Sequence, residues 1–323
     1  MTDLNALAGG VWRTQLLSVA ARLGIADRVA TGPRTAAELA RDTGADADAL
    51  FRVLRALAGL GVLSQDAEDR FGPTPVSERL RPGAPGSPHA RLLLYGEPWW
   101  WAAAGGLYET VMTGETAFDR VHGAGLFAWL AEHPAASAVF DAEMSAMTAA
   151  EAEAVVSVAE LPSTGTVVDV AGGRGTLLTA ILRARPGLRG VLFDQPHVVA
   201  GAALPDRCEA VAGSFFDAVP AGAEVYTLKD ILHDWDDERA LAILRTIRAA
   251  IPPAGRLLVV ERALPPGDEP APGKLVDVTM LLVTGGRERT RSQYAALLAQ
   301  AGFDLASVAP TSAGTDVLTA VPV

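Results

Sequence analysis

Thr166-Val167-Val168-Asp169-Val170-Ala171-Gly172-Gly173-Arg174-Gly175 joins an apolar run to a glycine-rich turn. The apolar run, 166–170, predicts a buried strand, and residues 176–185 after the turn have the apolar spacing of a helix. Glycine suits a turn at which the backbone approaches a ligand closely. A strand, a glycine turn and a helix in this order are typical of the first unit of a parallel α/β sheet.

The alternation of strands and helices continues after this turn. Four further apolar runs predict strands at residues 191–194, 209–212, 225–228 and 257–261. Such alternation indicates an α/β fold with a doubly wound, mostly parallel, Rossmann-like sheet.

An acidic residue, Asp194, ends the second predicted strand. A carboxylate at this place can accept hydrogen bonds from both hydroxyls of a ribose. The dinucleotide fingerprint requires a further glycine where this chain has Leu178. The missing glycine argues against a bound pyrophosphate and favours a smaller nucleoside ligand.

The fourth predicted strand is followed by His233, which stands between an apolar run and an acidic cluster. Ligands of open α/β sheets bind at the carboxyl ends of the strands, and histidine can move a proton near neutral pH. The alternatives are a structural histidine that caps the helix after Trp235 and a metal site formed by His233, Asp234, Asp236 and Asp237. Because acidic residues 236–238 fit better as the first turn of a helix, we predict no metal.

The composition excludes several classes of protein. The chain has 323 residues, of which 50% are hydrophobic, so it can form two domains with a sizeable core. No apolar run approaches the ~20 residues of a membrane-spanning helix, and residues 1–10 lack the basic cluster of a signal peptide. The single cysteine, Cys208, excludes an internal disulfide. We therefore expect a soluble, cytoplasmic protein.

The net charge of −11 is unevenly distributed. Residues 1–90 carry ten arginines and ten acidic residues, so the acidic surplus lies in the rest of the chain. Neither part has the basic surplus of a nucleic-acid-binding protein.

Residues 1–90 are predicted to form a winged-helix domain. Thr35 opens a short helix with a capping box, Asp46 or Asp48 caps a second helix, and Gly61 ends it. Residues 62–73 then indicate a small hairpin. DNA recognition is one interpretation of this arrangement, but the balanced charge favours a packing and dimerisation module, and hence a homodimer.

Residues 91–155 are predicted to form a helical linker, rich in large side chains, that contributes to a substrate pocket. Aromatic and methionine side chains suit flat ligands. Met144 and Met147 share one helix face and are the preferred candidates, with Trp129 and Asp234 as further candidates for substrate contact. Residues 156–323 would form the catalytic domain.

Taken together, six motifs resemble the class I S-adenosylmethionine-dependent O-methyltransferases, in the branch of the plant caffeate and bacterial aromatic-polyketide enzymes. Their order and spacing match through the C-terminal half, and the winged N-terminal region looks like the dimerisation domain of that family. The six motifs cover residues 168–175, 193–198, 213–216, 228–237, 260–265 and 285–290.

The resemblance implies roles at matched positions. His233 would be the general base, flanked and oriented by Glu261 and Glu288. S-adenosyl-L-methionine would be the cofactor, with its ribose held by Asp194 and its methionine end near Lys229. The other residues implied for cofactor binding are Asp169, Gly172, Gly173, Gly175, Gln195, Ser214 and Phe215.

Two positions depart from the family pattern. Ser214 stands where the family usually has an acidic residue that contacts the adenine amino group. A serine hydroxyl can still accept a hydrogen bond there, but it carries no negative charge. Ala171 stands where glycine is common, which is a milder change.

These inferences predict an O-methyltransferase that acts on a phenolic hydroxyl of an aromatic secondary metabolite. A phenol has a pKa of about 10, so a neutral imidazole that removes its proton makes the oxygen nucleophilic, which typically contributes ~10²–10⁴-fold. Two alternatives remain open. One is an enzyme of the same fold that hydroxylates or decarboxylates a polyketide, and the other is a non-enzymatic winged-helix regulator.

Overall fold

The computed structural model describes residues 3–323, which divide into two compact units. The first unit ends at Trp101, and the second is Ala102–Val323. This division follows contacts within the chain. The functional boundaries predicted near residues 90 and 155 stay predictions.

The first unit is mainly helical and holds a small antiparallel sheet. Its elements are α1 (Leu4–Ala8), α2 (Gly10–Arg22), α3 (Ile25–Val29), β1 (Arg34–Thr35), α4 (Ala36–Thr43), α5 (Ala47–Gly59), β2 (Ser64–Gln65), β3 (Arg70–Gly72), α6 (Pro75–Glu78), α7 (His89–Tyr95) and α8 (Pro98–Ala104), which crosses into the second unit.

The helix starts in this unit follow the capping signals of the sequence. The Thr35 side chain accepts a hydrogen bond from the Glu38 backbone N–H, and the Glu38 carboxylate accepts one from the Thr35 backbone N–H. Asp46, rather than Asp48, caps α5. The predicted hairpin is present as β2 and β3, and β1 pairs with β3 as a third strand that the sequence did not predict.

The second unit contains the large sheet. Its elements are α9 (Leu107–Thr113), α10 (Ala117–His122), α11 (Leu126–Glu132), α12 (Pro134–Val158), β4 (Gly165–Val170), α13 (Thr176–Ala184), β5 (Leu188–Asp194), α14 (Pro196–Val199), β6 (Cys208–Ala212), β7 (Val225–Lys229), a 3-10 helix (Leu232–Asp234), α15 (Asp237–Ala250), β8 (Arg256–Glu261), α16 (Gly273–Val283), α17 (Arg291–Gln300), β9 (Phe303–Pro310) and β10 (Asp316–Pro322).

The large sheet has seven strands in the order β6-β5-β4-β7-β8-β10-β9. The first five are parallel, which confirms the predicted doubly wound arrangement. Strands β9 and β10 are antiparallel and were not predicted. They form a hairpin with no helix between them. The alternation of strands and helices, which predicted the five parallel strands, therefore does not include them.

Strand order reverses at β4, because the chain places β5 and β6 on one side of it and β7 and β8 on the other. Such a switch point leaves a crevice at the carboxyl ends of the strands, where ligands of α/β sheets bind. The glycine turn after β4 and the 3-10 helix after β7 both begin at this edge. Within residues 3–323, no helix is long and apolar enough to cross a membrane.

Candidate active site

A cavity of about 610 Å³ opens at the carboxyl ends of the parallel strands. It is lined by the loops that follow β4, β5, β6 and β7 and by residues of α11 and α12. The volume lies in the range of small-molecule sites, roughly 300–1,000 Å³. The predicted site residues that line it are Met144, Met147, Asp169, Gly172, Gly173, Asp194, Gln195, Ser214, Phe215, Lys229 and Asp234.

The turn after β4 brings bare backbone to this cavity. A Cβ atom on Gly172 would lie 2.4 Å from Asp169 Oδ2 and 2.6 Å from Leu192 Cδ1, so a larger residue there would force these side chains to shift. Gly173 and Gly175 have left-handed φ angles of 61° and 78°. Ala171 also has a positive φ of 55°, a conformation that costs a residue with a Cβ roughly 1–2 kcal/mol. The change from glycine at this position therefore leaves backbone strain next to the site.

Two carboxylates flank the glycine turn. Asp194 accepts hydrogen bonds from the backbone N–H groups of Gly173, at 2.8 Å, and Gln195, at 2.6 Å. Asp169 accepts one from the Thr227 hydroxyl through Oδ1, whereas its Oδ2 is buried without a partner among the described residues. Burial raises the pKa of Asp169 to about 6 and also raises the pKa of Asp194.

Aromatic rings form another wall of the cavity. The Trp235 ring is stacked against Phe127 at 5.7 Å between centroids, and Phe216 meets it edge-on at 5.0 Å. Ser214 also lines the cavity, and its hydroxyl accepts a hydrogen bond from the Phe216 backbone N–H. Trp129 differs from the other predicted substrate contacts. Among the described residues it is absent from the cavity lining, and it stacks on His133 instead.

His233 is buried behind the cavity edge with three carboxylates around its ring. Its Nδ1 lies 2.9 Å from Glu288 Oε1 and 3.6 Å from Glu261 Oε2, and its Nε2 lies 3.8 Å from Asp234 Oδ1. The structure thus brings together the three residues predicted as the catalytic group. Among the described residues, Asp234 lines the cavity but His233 does not.

The Glu261 carboxylate also fixes the backbone that carries His233. Its Oε1 accepts hydrogen bonds from the backbone N–H groups of Ile231, Leu232 and His233. These are donors at the start of the 3-10 helix, where a negative charge is favoured. Glu261 therefore holds the loop as well as the ring.

The charges of this cluster change the protonation of its members. Burial by itself would lower the pKa of His233, but the carboxylates of Glu261, Asp234 and Glu288 outweigh it and raise this pKa well above its ordinary value. Burial raises the pKa of both Glu261 and Asp234 to about 7. These groups therefore gain and lose protons in a pH range that lies at and above neutrality.

The loop after α16 supports the His233 segment from behind. The Arg287 backbone N–H donates to the His233 carbonyl at 2.8 Å, and the Arg289 guanidinium donates to the carbonyls of Leu232 and Trp235. A Cβ atom on Gly286 would lie 2.0 Å from the His233 carbonyl oxygen. Gly286 thus allows two loops to pack backbone against backbone.

A ring of four charged side chains lies beside the cluster. Lys229 pairs with Glu151 and Asp230, and Arg262 pairs with the same two carboxylates. Burial lowers the pKa of Lys229, but Asp230 and Glu151 outweigh it and raise that pKa. Burial raises the pKa of Asp230, but Lys229 and Arg262 outweigh it and lower that pKa. The two cations and two anions balance, so Lys229 is held as an ammonium at the cavity edge.

Asp230, His233 and Glu261 present ligand atoms within 4.8 Å of one another, a spacing that a metal ion can use. Both oxygens of Asp230 already pair with cations, Lys229 and Arg262. A third cation would have to compete with them. This arrangement favours ion pairing and proton exchange over metal binding.

Sequence reasoning missed the partners of the charged ring and part of the aromatic wall. Glu151 lies one turn beyond Met147 on α12, and Arg262 directly follows Glu261 at the end of β8. Glu151 shares a helix with Met147, and Arg262 stands at a strand end as Asp194 does. The same signals could therefore have identified both residues. Phe127 and Trp235 come together from distant elements, so no local pattern pairs them.

Two regions of the chain match known protein families. Residues 105–304 match the O-methyltransferase domain family, and residues 5–82 match the O-methyltransferase dimerisation domain. The chain belongs to the O-methyltransferase family. It is therefore an enzyme that uses S-adenosylmethionine, as the motifs predicted.

Individual relatives of this O-methyltransferase act on aromatic natural products. The phenazine O-methyltransferase PhzM of Lysobacter antibioticus is 45% identical, over 97% of this chain and 94% of that protein. The mitomycin biosynthesis 6-O-methyltransferase of Streptomyces lavendulae is 38% identical, over 96% and 91%. A phenazine-1-carboxylate N-methyltransferase of Pseudomonas aeruginosa is 30% identical, over 93% and 91%, so related proteins also methylate nitrogen.

A solved structure shows the ligands of a similar protein. An O-methyltransferase from neocarzinostatin biosynthesis, in complex with S-adenosylmethionine and 2-hydroxy-5-methyl naphthoic acid, has a TM-score of 0.88 and is 33% identical. The match covers 100% of this chain and 99% of that one.

Proposed function

We propose that this O-methyltransferase methylates a phenolic hydroxyl of a planar aromatic secondary metabolite, with His233 as the general base. The observation that carries the proposal is the cavity wall. Stacked aromatic rings, Phe127 and Trp235, line the cavity together with Asp234, which directly follows the carboxylate-bound His233. A flat acceptor can pack against the exposed side of such rings, and its hydroxyl would face the acidic edge.

The residues present fit S-adenosylmethionine. Gly173 lines the cavity with open space where a Cβ would stand, and Asp169 Oδ2 is a buried acceptor without a partner among the described residues. Gly172 and Gly173 would bind the amino acid part, Asp194 the ribose and Lys229 the methionine end. Ser214 and Phe215 would flank the adenine, with Gln195 beside the ribose and Gly175 shaping the turn. The bound cofactor supplies a methyl group activated by a sulfonium.

The chain itself supplies proton transfer and orientation. Neutral His233 can accept a proton at Nε2 while Nδ1–H donates to Glu288. The imidazolium that forms is stabilised by Glu288 and Glu261, which also fix the tautomer and the ring position. Met144 and Met147 on α12 would pack on the acceptor and hold it in line.

The proposed activity is tested by incubating the protein with S-adenosylmethionine and a panel of fused-ring phenols, with matched aromatic amines. We expect S-adenosylhomocysteine and a methyl ether from at least one phenol. His233→Ala should retain cofactor affinity and lose turnover by about 10²–10⁴-fold. Methylation of the amines alone, or of no acceptor despite tight cofactor binding, would refute the proposal.

We also propose that the protein is a homodimer through its N-terminal domain, residues 1–90. The match to the dimerisation domain supports this, and so do the exposed apolar side chains of α1 and α2, among them Leu4, Leu7 and Trp12. Sedimentation should give a dimer, and Trp12→Glu should weaken it. A wild-type monomer at micromolar concentration would contradict the assembly.

A further inference from the structure

We propose that Asp234 relays the proton of the acceptor hydroxyl to His233, and so is a second catalytic residue of this site. The inference rests on the proposed function, because it concerns the path of the proton in the same methyl transfer. Asp234 lines the cavity, whereas His233 lies behind it and, among the described residues, does not line it.

The distance between the two side chains suits a relay. His233 Nε2 lies 3.8 Å from Asp234 Oδ1, which is slightly longer than a hydrogen bond. Catalytic hydrogen bonds are often loose before the substrate binds and tighten in the complex. The opposite ring nitrogen, Nδ1, is already committed to Glu288 at 2.9 Å. Nε2 is therefore the open position of the ring, and the carboxylate beside it is that of Asp234, which lines the cavity.

Of the other acidic residues of the cavity wall, Asp169 accepts a hydrogen bond from the Thr227 hydroxyl and, among the described residues, forms no ion pair with His233. The remaining three are committed elsewhere. Asp230 pairs with two cations, Asp141 pairs with Arg174, and Asp194 accepts two backbone N–H groups. Within residues 3–323, His233 is the one cationic partner of the Asp234 carboxylate. Asp234 is thus the carboxylate that combines access to the acceptor with contact to the base.

The backbone of Asp234 is fixed from both sides. Its N–H donates to the Ile231 carbonyl at 3.1 Å, and Gly286 packs so closely that a Cβ there would lie 2.4 Å from the Asp234 carbonyl carbon. The carboxylate can rotate about its side-chain bonds while its Cα stays in place. This is the mobility that a relay between two fixed partners requires.

The charges that face Asp234 are those of His233, Asp230 and Glu288. Burial raises the pKa of Asp234 to about 7, close to the pH at which the enzyme would work. A carboxyl with such a pKa both accepts and releases a proton readily.

The transfer balances in atoms and charge. The acceptor O–H bond breaks, and its proton passes to an Asp234 oxygen and from there to Nε2 of neutral His233. The hydroxyl oxygen forms a bond to the methyl carbon, and the carbon–sulfur bond breaks with its electron pair left on sulfur. Asp234 ends as a carboxylate, and one positive charge has moved from sulfur to the imidazole.

Asp234→Asn tests the relay, because the amide keeps the shape but accepts no proton. For a phenol that is un-ionised at the assay pH, we expect kcat to fall by about 10²-fold or more, with the acceptor KM and cofactor affinity nearly unchanged. For an electron-poor phenol that is already ionised, the loss should shrink to less than about tenfold, since no base is needed. A merely structural role would reduce both rates equally.

Asp236→Asn is the matched control. It makes the same change two residues away, where Asn also caps α15 well, and both acceptors should keep their rates. Wild-type kcat in Asp234→Asn, or an equal loss on both acceptors, would overturn the relay. If His233→Ala is inactive while either of these outcomes is found, the relay is wrong and the proposed function stands. If the wild-type protein methylates no phenol, both the proposed function and the relay are wrong.

Discussion

His233 Nδ1 lies 2.9 Å from Glu288 Oε1, although 55 positions separate the two residues in the chain. The pair joins the loop after β7 to the loop after α16. A charged partner at this distance favours the imidazolium. The base therefore becomes available only as pH rises towards its raised pKa.

This relationship predicts the pH dependence of activity. The rate should rise with pH from neutral into the alkaline range, because His233 must lose a proton before it can accept one. Glu288→Gln keeps a hydrogen-bond acceptor but removes a charge, so the pKa of His233 should fall. We expect the acid limb of kcat against pH to move down by about one pH unit or more.

Glu238→Gln is the control for this shift, because Glu238 is exposed on α15. If the acid limb of kcat against pH does not move in Glu288→Gln, another group controls the profile.

The raised pKa of His233 also affects folding stability. Its contribution to the free energy of unfolding is fully present below the ordinary histidine pKa of 6.5, and it is lost as pH rises through the raised pKa of folded His233.

Gly286→Ala should disturb the catalytic loop without touching a ligand. The added Cβ would meet backbone atoms of His233, Asp234 and Trp235, none of which can rotate away. We expect a loss of about 1–3 kcal/mol in unfolding free energy and a large fall in kcat. Gly59→Ala, at an exposed helix position with open space, should be neutral or stabilising. Equal stability of the two variants, measured by denaturant titration, would contradict the packing argument.

Arg262→Met should lower the free energy of unfolding, because it removes one cation from the charged ring. It leaves Glu151 and Asp230 with Lys229 as their one remaining cation in the ring, and breaking a buried ion pair typically costs about 3–5 kcal/mol. Arg256→Met, at the start of the strand that precedes Arg262, removes an exposed pair with Glu160 and should cost under about 1 kcal/mol. Denaturant unfolding of both variants measures the difference. A similar small loss in each would mean that the ring is dispensable.

Ser214→Asp should strengthen cofactor binding. A carboxylate hydrogen bond is stronger than a hydroxyl one, and a gain of about 1 kcal/mol corresponds to roughly fivefold tighter binding. Calorimetric titration with S-adenosylhomocysteine measures it, and Ser214→Asn separates charge from size. Unchanged affinity in Ser214→Asp would place the adenine away from residue 214.

Local patterns in the sequence predicted the elements that carry the site. The glycine turn, the Thr35 capping box and the five parallel strands all have short-range signals, in periodicity or in a single required φ angle. The antiparallel hairpin of β9 and β10 lacked the alternating signal and was missed. Trp129 was a candidate because of its aromatic character alone, and among the described residues it does not line the cavity. The type of a residue does not determine the direction in which its side chain points.

The sequence by itself determined that a histidine follows a buried strand at the ligand edge of an α/β sheet, since strand, turn and helix are encoded within a few residues. Only the tertiary structure decided that Asp234 lines the cavity whereas, among the described residues, His233 does not, and that Glu151 and Arg262 close a charged ring around Lys229 and Asp230. The contacts of Glu151 with Lys229 and Arg262 join segments far apart in the chain. Their geometry depends on how helices and strands pack, which no local spacing records.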